Sequence, residues 1–296
     1  MRWDDFRRSD NVVDRRGVGG GGVRRAGGLG IGTVAVLGLL AWALGIDPRI
    51  LIGGAEMLTG GGGHQVPTQQ PSAPTGTPSD QLGQFVAAVL GDTEDRWKLI
   101  FQQAGRRYEE PQLVIFSQVT RSQCGTAQSA MGPFYCPLDQ RVYLDTSFFQ
   151  ELEKRFQGCS GKACQFAQAY VISHEIGHHV QNLLGILPKV QELQRGMDRT
   201  EANQLQVRVE LQADCFAGVW AHHAQQKWNF IEPGDVEAAM QTAAAIGDDK
   251  LQRRSQGYVV PDAFTHGSSE QRVRWFSKGL QEGSVSACNT FDASRV

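Results

Sequence analysis

Beyond residue 80, apolar residues recur mostly at intervals of three and four, and that period predicts helices. Gln81 to Tyr108 carries Phe85, Val89, Leu90, Trp97, Ile100 and Phe101 on such a period, with Gly91 as a candidate break. A short helix is predicted over Ser147 to Phe156, and a long one over Ala163 to Leu184, ended by Gly185 and Pro188. The next runs from about Thr200 to Trp228, where Asp198 and Glu201 have the spacing of a capping box. A further helix opens at Glu232 or Pro233 and reaches about Arg254, and a last one spans Ser268 to Gly279. Strand character is confined to Gln112–Thr120 and to Gly132–Leu144, read as a hairpin turning at Pro137-Leu138-Asp139. Many helices and few strands predict an α+β domain, mainly helical with a small sheet, over residues 81–296.

The chain before residue 81 is patterned differently. Residues 26–46 carry no charge, and as a helix they would span roughly 31 Å, the thickness of a bilayer's hydrocarbon core. Arg24 and Arg25 precede this run, and basic residues are sparse after it. The positive-inside rule then predicts one transmembrane helix with a cytoplasmic N-terminus and an exported domain. This would be a single-pass protein of the cell membrane, facing the periplasm or exterior. A cleaved signal peptide is the alternative, since Ala41-Trp42-Ala43 resembles a cleavage site. Residues 1–25, with seven arginines, four aspartates and a glycine run, are read as a disordered basic tail. Residues 47–80, rich in Gly, Pro, Thr, Ser and Gln, are read as a flexible linker.

Charge excludes more than it suggests. The formal net charge of −2 points to no nucleic-acid partner. All six cysteines lie beyond the apolar run, an even number that in an exported domain suggests disulfides. Pairing by proximity gives Cys124–Cys136 and Cys159–Cys164 and leaves Cys215–Cys288, one of fifteen possible connectivities. No CxxC spacing occurs, which argues against a cysteine-ligated zinc.

The chemistry is concentrated in Val171-Ile-Ser-His-Glu-Ile-Gly-His-His-Val180, which holds three of the seven histidines. His174 and His178 are four apart, so on a helix they share a face and can reach one ion. Glu175 lies one step round from His174 and can reach the open side of that ion without ligating it. This is HExxH, the spacing of zinc metallopeptidases. No charge occurs between Ala163 and His174, so the helix is predicted to be buried, where such polar groups need a partner. His179 points about 100° away from His178 and is read as packing or supporting. A catalytic zinc takes three protein ligands, but no third histidine follows at the metzincin spacing. Glu210 is the candidate third ligand. Asp214, four residues on, is positioned to hold a ligand histidine by its other ring nitrogen.

Met1-Arg-Trp, the glycine-rich tail, GPFYCPLDQRVYLD, SHEIGHHVQN, ELQADCFAG and HGSSEQRVRWF together resemble the bacterial YpfJ-type neutral zinc metallopeptidases over nearly the whole chain. HExxH followed by ExxxD also resembles the gluzincins, which implies a zincin-like fold. HtpX-like membrane peptidases are similar in pairing ExxxD with a later His and Arg, here His266 and Arg272, but have several membrane segments. The resemblance implies that His266 lies near the scissile carbonyl. The expected function is a membrane-anchored peptidase of envelope proteins with one zinc per chain, Glu175 as general base, and the Phe134–Tyr143 hairpin as a docking edge for a peptide or protein substrate. A zinc-bound scaffold or chaperone, or an amidase of cell-wall cross-links, are the alternatives.

Overall fold

The computed structural model describes residues 1–16, 78–128, 132–154, 164–294 and 296. Eight α-helices are named within them: α1 (Gln81–Gln103), α2 (Ser147–Lys154), α3 (Cys164–Leu183), α4 (Ile186–Gln194), α5 (Arg199–Trp228), α6 (Asp235–Ala245), α7 (Asp248–Gln256) and α8 (Ser269–Glu282). The strands are β1 (Val12–Asp14), β2 (Gln112–Phe116), β3 (Val119–Ser122), β4 (Gly125–Gln128), β5 (Phe134–Cys136) and β6 (Arg141–Asp145). The architecture is α+β and mainly helical.

Four strands form one sheet in the order β1-β2-β6-β5, with β1 and β6 parallel to β2 and β5 antiparallel to β6. The predicted hairpin is therefore present, and β5 pairs on one side only among the described residues. β3 and β4 form a separate antiparallel hairpin. The disulfide Cys124–Cys136 ties that hairpin's turn to the end of β5.

The core is built on α3 and α5, and glycines set how closely the helices approach. A Cβ on Gly177 would lie 2.9 Å from the Ala213 carbonyl oxygen, so this glycine lets α3 press its HExxH face onto α5. A Cβ on Gly279 would fall 1.9 Å from the Cys215 carbonyl oxygen, so α8 in turn lies directly against α5. The Cys215–Cys288 disulfide closes the stretch after α8 onto α5. Two of the three expected cysteine pairs are thus present, and the third involves Cys159, outside the described residues.

Several element boundaries differ from expectation, each for a packing reason. Helix α1 runs unbroken through Gly91, which is small because the Arg7 carbonyl lies against it. The helix expected from Glu232 to Arg254 is two, α6 and α7. They part at Gly247, where a Cβ would meet the Ser269 backbone nitrogen at 2.5 Å. Pro188 does not merely end a helix: it sits in the first turn of α4, which Gly185 opens with a φ of 78°.

The largest correction concerns the N-terminus. Residues 1–16 are not a disordered tail but a strap folded onto the domain. Strand β1 pairs with β2, and Met1, Phe6, Val12 and Val13 are buried. The Phe6 ring packs on Trp228 and Phe230. Buried Glu94 accepts hydrogen bonds from Ser9 Oγ at 2.7 Å and Asn11 Nδ2 at 2.9 Å, and pairs with Arg7 at 2.6 Å. Two of the arginines that made this stretch read as a solvated basic tail are spent on acidic partners, Arg7 on Glu94 and Asp95 and Arg16 on Asp14 and Asp80, while Arg2 and Arg8 donate to backbone carbonyls.

That strap also bears on the expected topology. Strands that share hydrogen bonds lie on the same side of any membrane. A single crossing between residues 16 and 81 would put β1 and β2 on opposite sides. The run 26–46 and most of the tail and linker, residues 17–77, lie outside the described residues. Among the described residues no helix is long and apolar enough to cross a membrane.

Candidate metal centre

The HExxH segment lies wholly on α3, and Val209 to Cys215 in the middle of α5. Where Gly177 lets the two helices meet, His174 Nε2 lies 3.3 Å and His178 Nε2 3.4 Å from Glu210 Oε2. One ligand atom from each of the three falls within 4.8 Å of the others. A tetrahedral ion with bonds of about 2.0–2.1 Å has its ligand atoms roughly 3.3–3.4 Å apart. Both imidazole nitrogens stand at that spacing from the carboxylate oxygen, and this donor set fits zinc.

Each donor is held from behind. His174 Nδ1 lies 2.8 Å from Asp214 Oδ1. Asp214 also accepts from Tyr170 Oη at 2.6 Å and from Arg272 Nε and Nη2, both at 2.9 Å. Arg272 Nη2 further donates to Tyr170 Oη at 3.2 Å. His178 Nδ1 lies 2.9 Å from Gln181 Oε1, and Gln206 Nε2 donates to Glu210 Oε1 at 2.9 Å. Glu175 is buried beside this cluster, near enough for its charge to act on His178.

The electrostatics follow. Burial works against the Asp214 carboxylate, but Arg272 and His174 outweigh it and hold its pKa far below the ordinary value. Burial likewise opposes charge on His178, and Glu210 overcomes this to push the imidazole up to about 9. Burial, opposed by His178 and His174, leaves Glu210 well below the usual carboxylate range. The cluster is thus an anionic carboxylate with two imidazoles that bind protons readily, and a dication would displace those protons.

The remaining histidines separate cleanly. His266 is half exposed, on the loop before α8, and close enough for its charge to depress the pKa of Glu210. Asp248 fixes that loop by accepting the backbone N–H groups of Thr265, His266 and Gly267 at 2.7, 2.6 and 3.0 Å. Desolvation disfavours charge on His266, but Asp248 and Glu210 raise its pKa above the ordinary value. His179 stays out of the cluster, as its helical angle predicted. Its Nε2 donates to the Glu109 carbonyl at 2.6 Å, so its Nδ1 accepts from Tyr135 Oη at 3.0 Å, and α3 is fastened to β5. His222 and His223 bond to the Leu280 and Gly283 carbonyls, tying α5 to the end of α8.

Three participants were not singled out from the sequence. Tyr170 stands one turn before His174, Gln181 three residues after His178, and Gln206 one turn before Glu210. Their signal was available, since i±3 and i±4 places on a helix adjoin the ligands. Nothing in one sequence, however, distinguishes a polar group aimed at a ligand from one aimed at solvent.

Two helices thus bring HExxH against ExxxD, with a carboxylate behind the first histidine, an arrangement able to hold a metal ion. The chain belongs to the family described as "Putative neutral zinc metallopeptidase", whose sequence pattern matches residues 1–291. It is 46% identical to "Uncharacterized protein YpfJ" of Escherichia coli (strain K12), covering 99% of this chain and all of that one. It is 40% identical to "Uncharacterized protein Rv2575" of Mycobacterium tuberculosis (strain ATCC 25618 / H37Rv), over 74% of each chain. No solved structure matches.

Proposed function

We propose that the chain is a zinc-dependent peptidase whose metal is held by His174, His178 and Glu210, one ion per chain. The observation that carries this reading is the convergence of three donor atoms at 3.3 and 3.4 Å, each backed by its own hydrogen-bonding partner. Zinc in such a site polarises a carbonyl and lowers the pKa of water.

The protein groups then have separable tasks. Asp214 holds His174 so that its Nε2 faces the ion. Glu175 takes a proton from the attacking water and delivers it to the leaving amine. His266, on the rim, donates a hydrogen bond to the carbonyl oxygen as negative charge develops there. Among the described residues strand β5 is a sheet edge paired on one side only, and Tyr135 on it is hydrogen-bonded to His179 and Asn182 of the site helix. An extended peptide added to that edge would lie alongside α3, which favours peptide or protein substrates. The disulfides favour an oxidising compartment outside the cytoplasm, so envelope proteins are the proposed substrates. Membrane association through residues 26–46 belongs to the same proposal, with the strap and the domain together on the exported face.

The test is Glu175→Gln. It should leave zinc content and fold intact while reducing turnover about 10²–10⁴-fold. Comparing cut sites across the native envelope proteome between wild type and this variant supplies the substrate. A variant that cleaves at the wild-type rate would refute Glu175 as the base. A phenotype that needs zinc yet ignores Glu175→Gln would favour the scaffold reading.

A further inference from the structure

The two histidines of the cluster are held differently. Behind His174 stands the anionic Asp214; behind His178 stands a neutral amide. Gln181 is fully buried, and its orientation is settled by what surrounds it. Its amino group faces two acceptors, the Val209 carbonyl at 2.8 Å and Gln212 Oε1 at 3.0 Å. Only its oxygen is left for His178 Nδ1, at 2.9 Å. Gln212 is pinned in the same way, because its amino group donates to the Cys288 carbonyl at 3.0 Å and so turns its oxygen toward Gln181. Both amides therefore end on backbone carbonyls, one in α5 and one beside the Cys215–Cys288 disulfide.

An imidazole that binds a metal through Nε2 carries its proton on Nδ1 and needs an acceptor there. We infer that Gln181 is a positioning residue for the metal centre: its oxygen fixes the tautomer and ring angle of His178, and the Val209 carbonyl, by taking its amino group, keeps that oxygen turned toward the ring. This inference rests on the proposed zinc site. It adds that His178 is oriented by a buried neutral amide whose other end is tied to α5, a support that HExxH by itself does not contain. A glutamine three residues after the second histidine, facing the third-ligand helix, is the sequence form of that support.

The experiment measures zinc affinity of the full-length protein, by competition with a chelator of known affinity, for wild type, Gln181→Met and Gln212→Met. Gln181→Met preserves side-chain length but offers no acceptor comparable to an amide oxygen, and should weaken zinc binding about 10–100-fold. Gln212→Met is an equally buried lesion that leaves Gln181 bound to Val209, and should weaken it less than about 3-fold. In zinc-loaded wild type the His178 Nδ1–H proton should appear by NMR as a slowly exchanging resonance, lost in Gln181→Met and kept in Gln212→Met. If Gln181→Met does not fold, Gln181→Asn retains the amide but withdraws its oxygen, and the same loss of affinity is expected. Equal affinities in wild type and the Gln181 variants, or equal losses in the Gln181 and Gln212 variants, would overturn the inference. Wild-type protein that binds no zinc at all would overturn the zinc site on which it stands.

Discussion

Asp214 and Arg272 form a buried ion pair whose energetics can be worked from its geometry. Their side chains are 0% and 4% exposed, with Arg272 Nε and Nη2 both 2.9 Å from carboxylate oxygens. Removing one member leaves the other charge buried and unpaired, which costs about 3–5 kcal/mol. Arg272→Leu or Asp214→Leu alone should therefore lower stability by that amount. For a domain of this size the loss corresponds to a fall in Tm of roughly 6–20 °C. The double variant removes both charges together. It still deprives Tyr170 Oη and His174 Nδ1 of their acceptor, at about 1–3 kcal/mol each. Its total cost should thus be comparable to that of a single change and well below the sum of the two. The assay is denaturant unfolding of the three variants and wild type, metal-free and with disulfides intact, so that bound zinc contributes nothing. Additivity within about 0.5 kcal/mol would refute the pair as an energetic unit, because groups that do not interact add their effects.

Two further predictions test the surroundings of the site. His179 is buried, and its desolvation lowers its pKa from 6.5 to about 4, so the folded protein keeps it neutral while the unfolded chain protonates it. Its contribution is present above pH 6.5 and lost as pH falls toward 4, up to about 3 kcal/mol. Stability measured over that window should fall more steeply for wild type than for His179→Gln, and parallel curves would contradict the assignment. In the strap, Val12 is fully buried in β1, so Val12→Asp should lower Tm by several degrees. An unchanged Tm would mean that the strap contributes nothing to the fold.

The parts of the molecule that could be read from sequence are those encoded locally. His174 and His178 stand at i and i+4, and so do Glu210 and Asp214, so helical geometry alone puts each pair on one face. Asp198 with Glu201 marks a helix start that is present as a capping box. What was illegible depends on contacts between distant segments. β1 has three residues, too short for a period, and is a strand only because β2 offers it an edge. Gly91 reads as a helix breaker until the Arg7 carbonyl is seen against it, and Gly247 as ordinary helix until Ser269 is. Arg7 of the strap looks like solvated charge until its acidic partners in α1, 87 and 88 residues away, are placed beside it. A hydropathy reading weighs each residue against water, whereas here the weighing is against Glu94 and Asp95.

The same strap makes membrane topology a question the fold can answer. Ser9 N donates to the Ala87 carbonyl and Leu113 N to the Asn11 carbonyl, both at 2.9 Å, so backbone bonds run in both directions between strap and domain. No bilayer can lie between groups bonded in this way. Asp5 on the strap and Leu99 on α1 are both exposed, and each can be replaced by cysteine without touching the core. Because the native cysteines with described partners are in disulfides, the introduced thiols are the intended reactive sites. In intact cells treated with a membrane-impermeant maleimide, Asp5→Cys and Leu99→Cys should behave alike, both labelling where the envelope's outer barrier has been opened. Labelling of Leu99→Cys with Asp5→Cys protected until lysis is the signature of a single crossing. That result would mean β1 does not pair with β2 in the membrane-bound protein. Joint protection of both until lysis would instead place the whole domain in the cytoplasm, and the envelope substrates proposed for it would have to be abandoned.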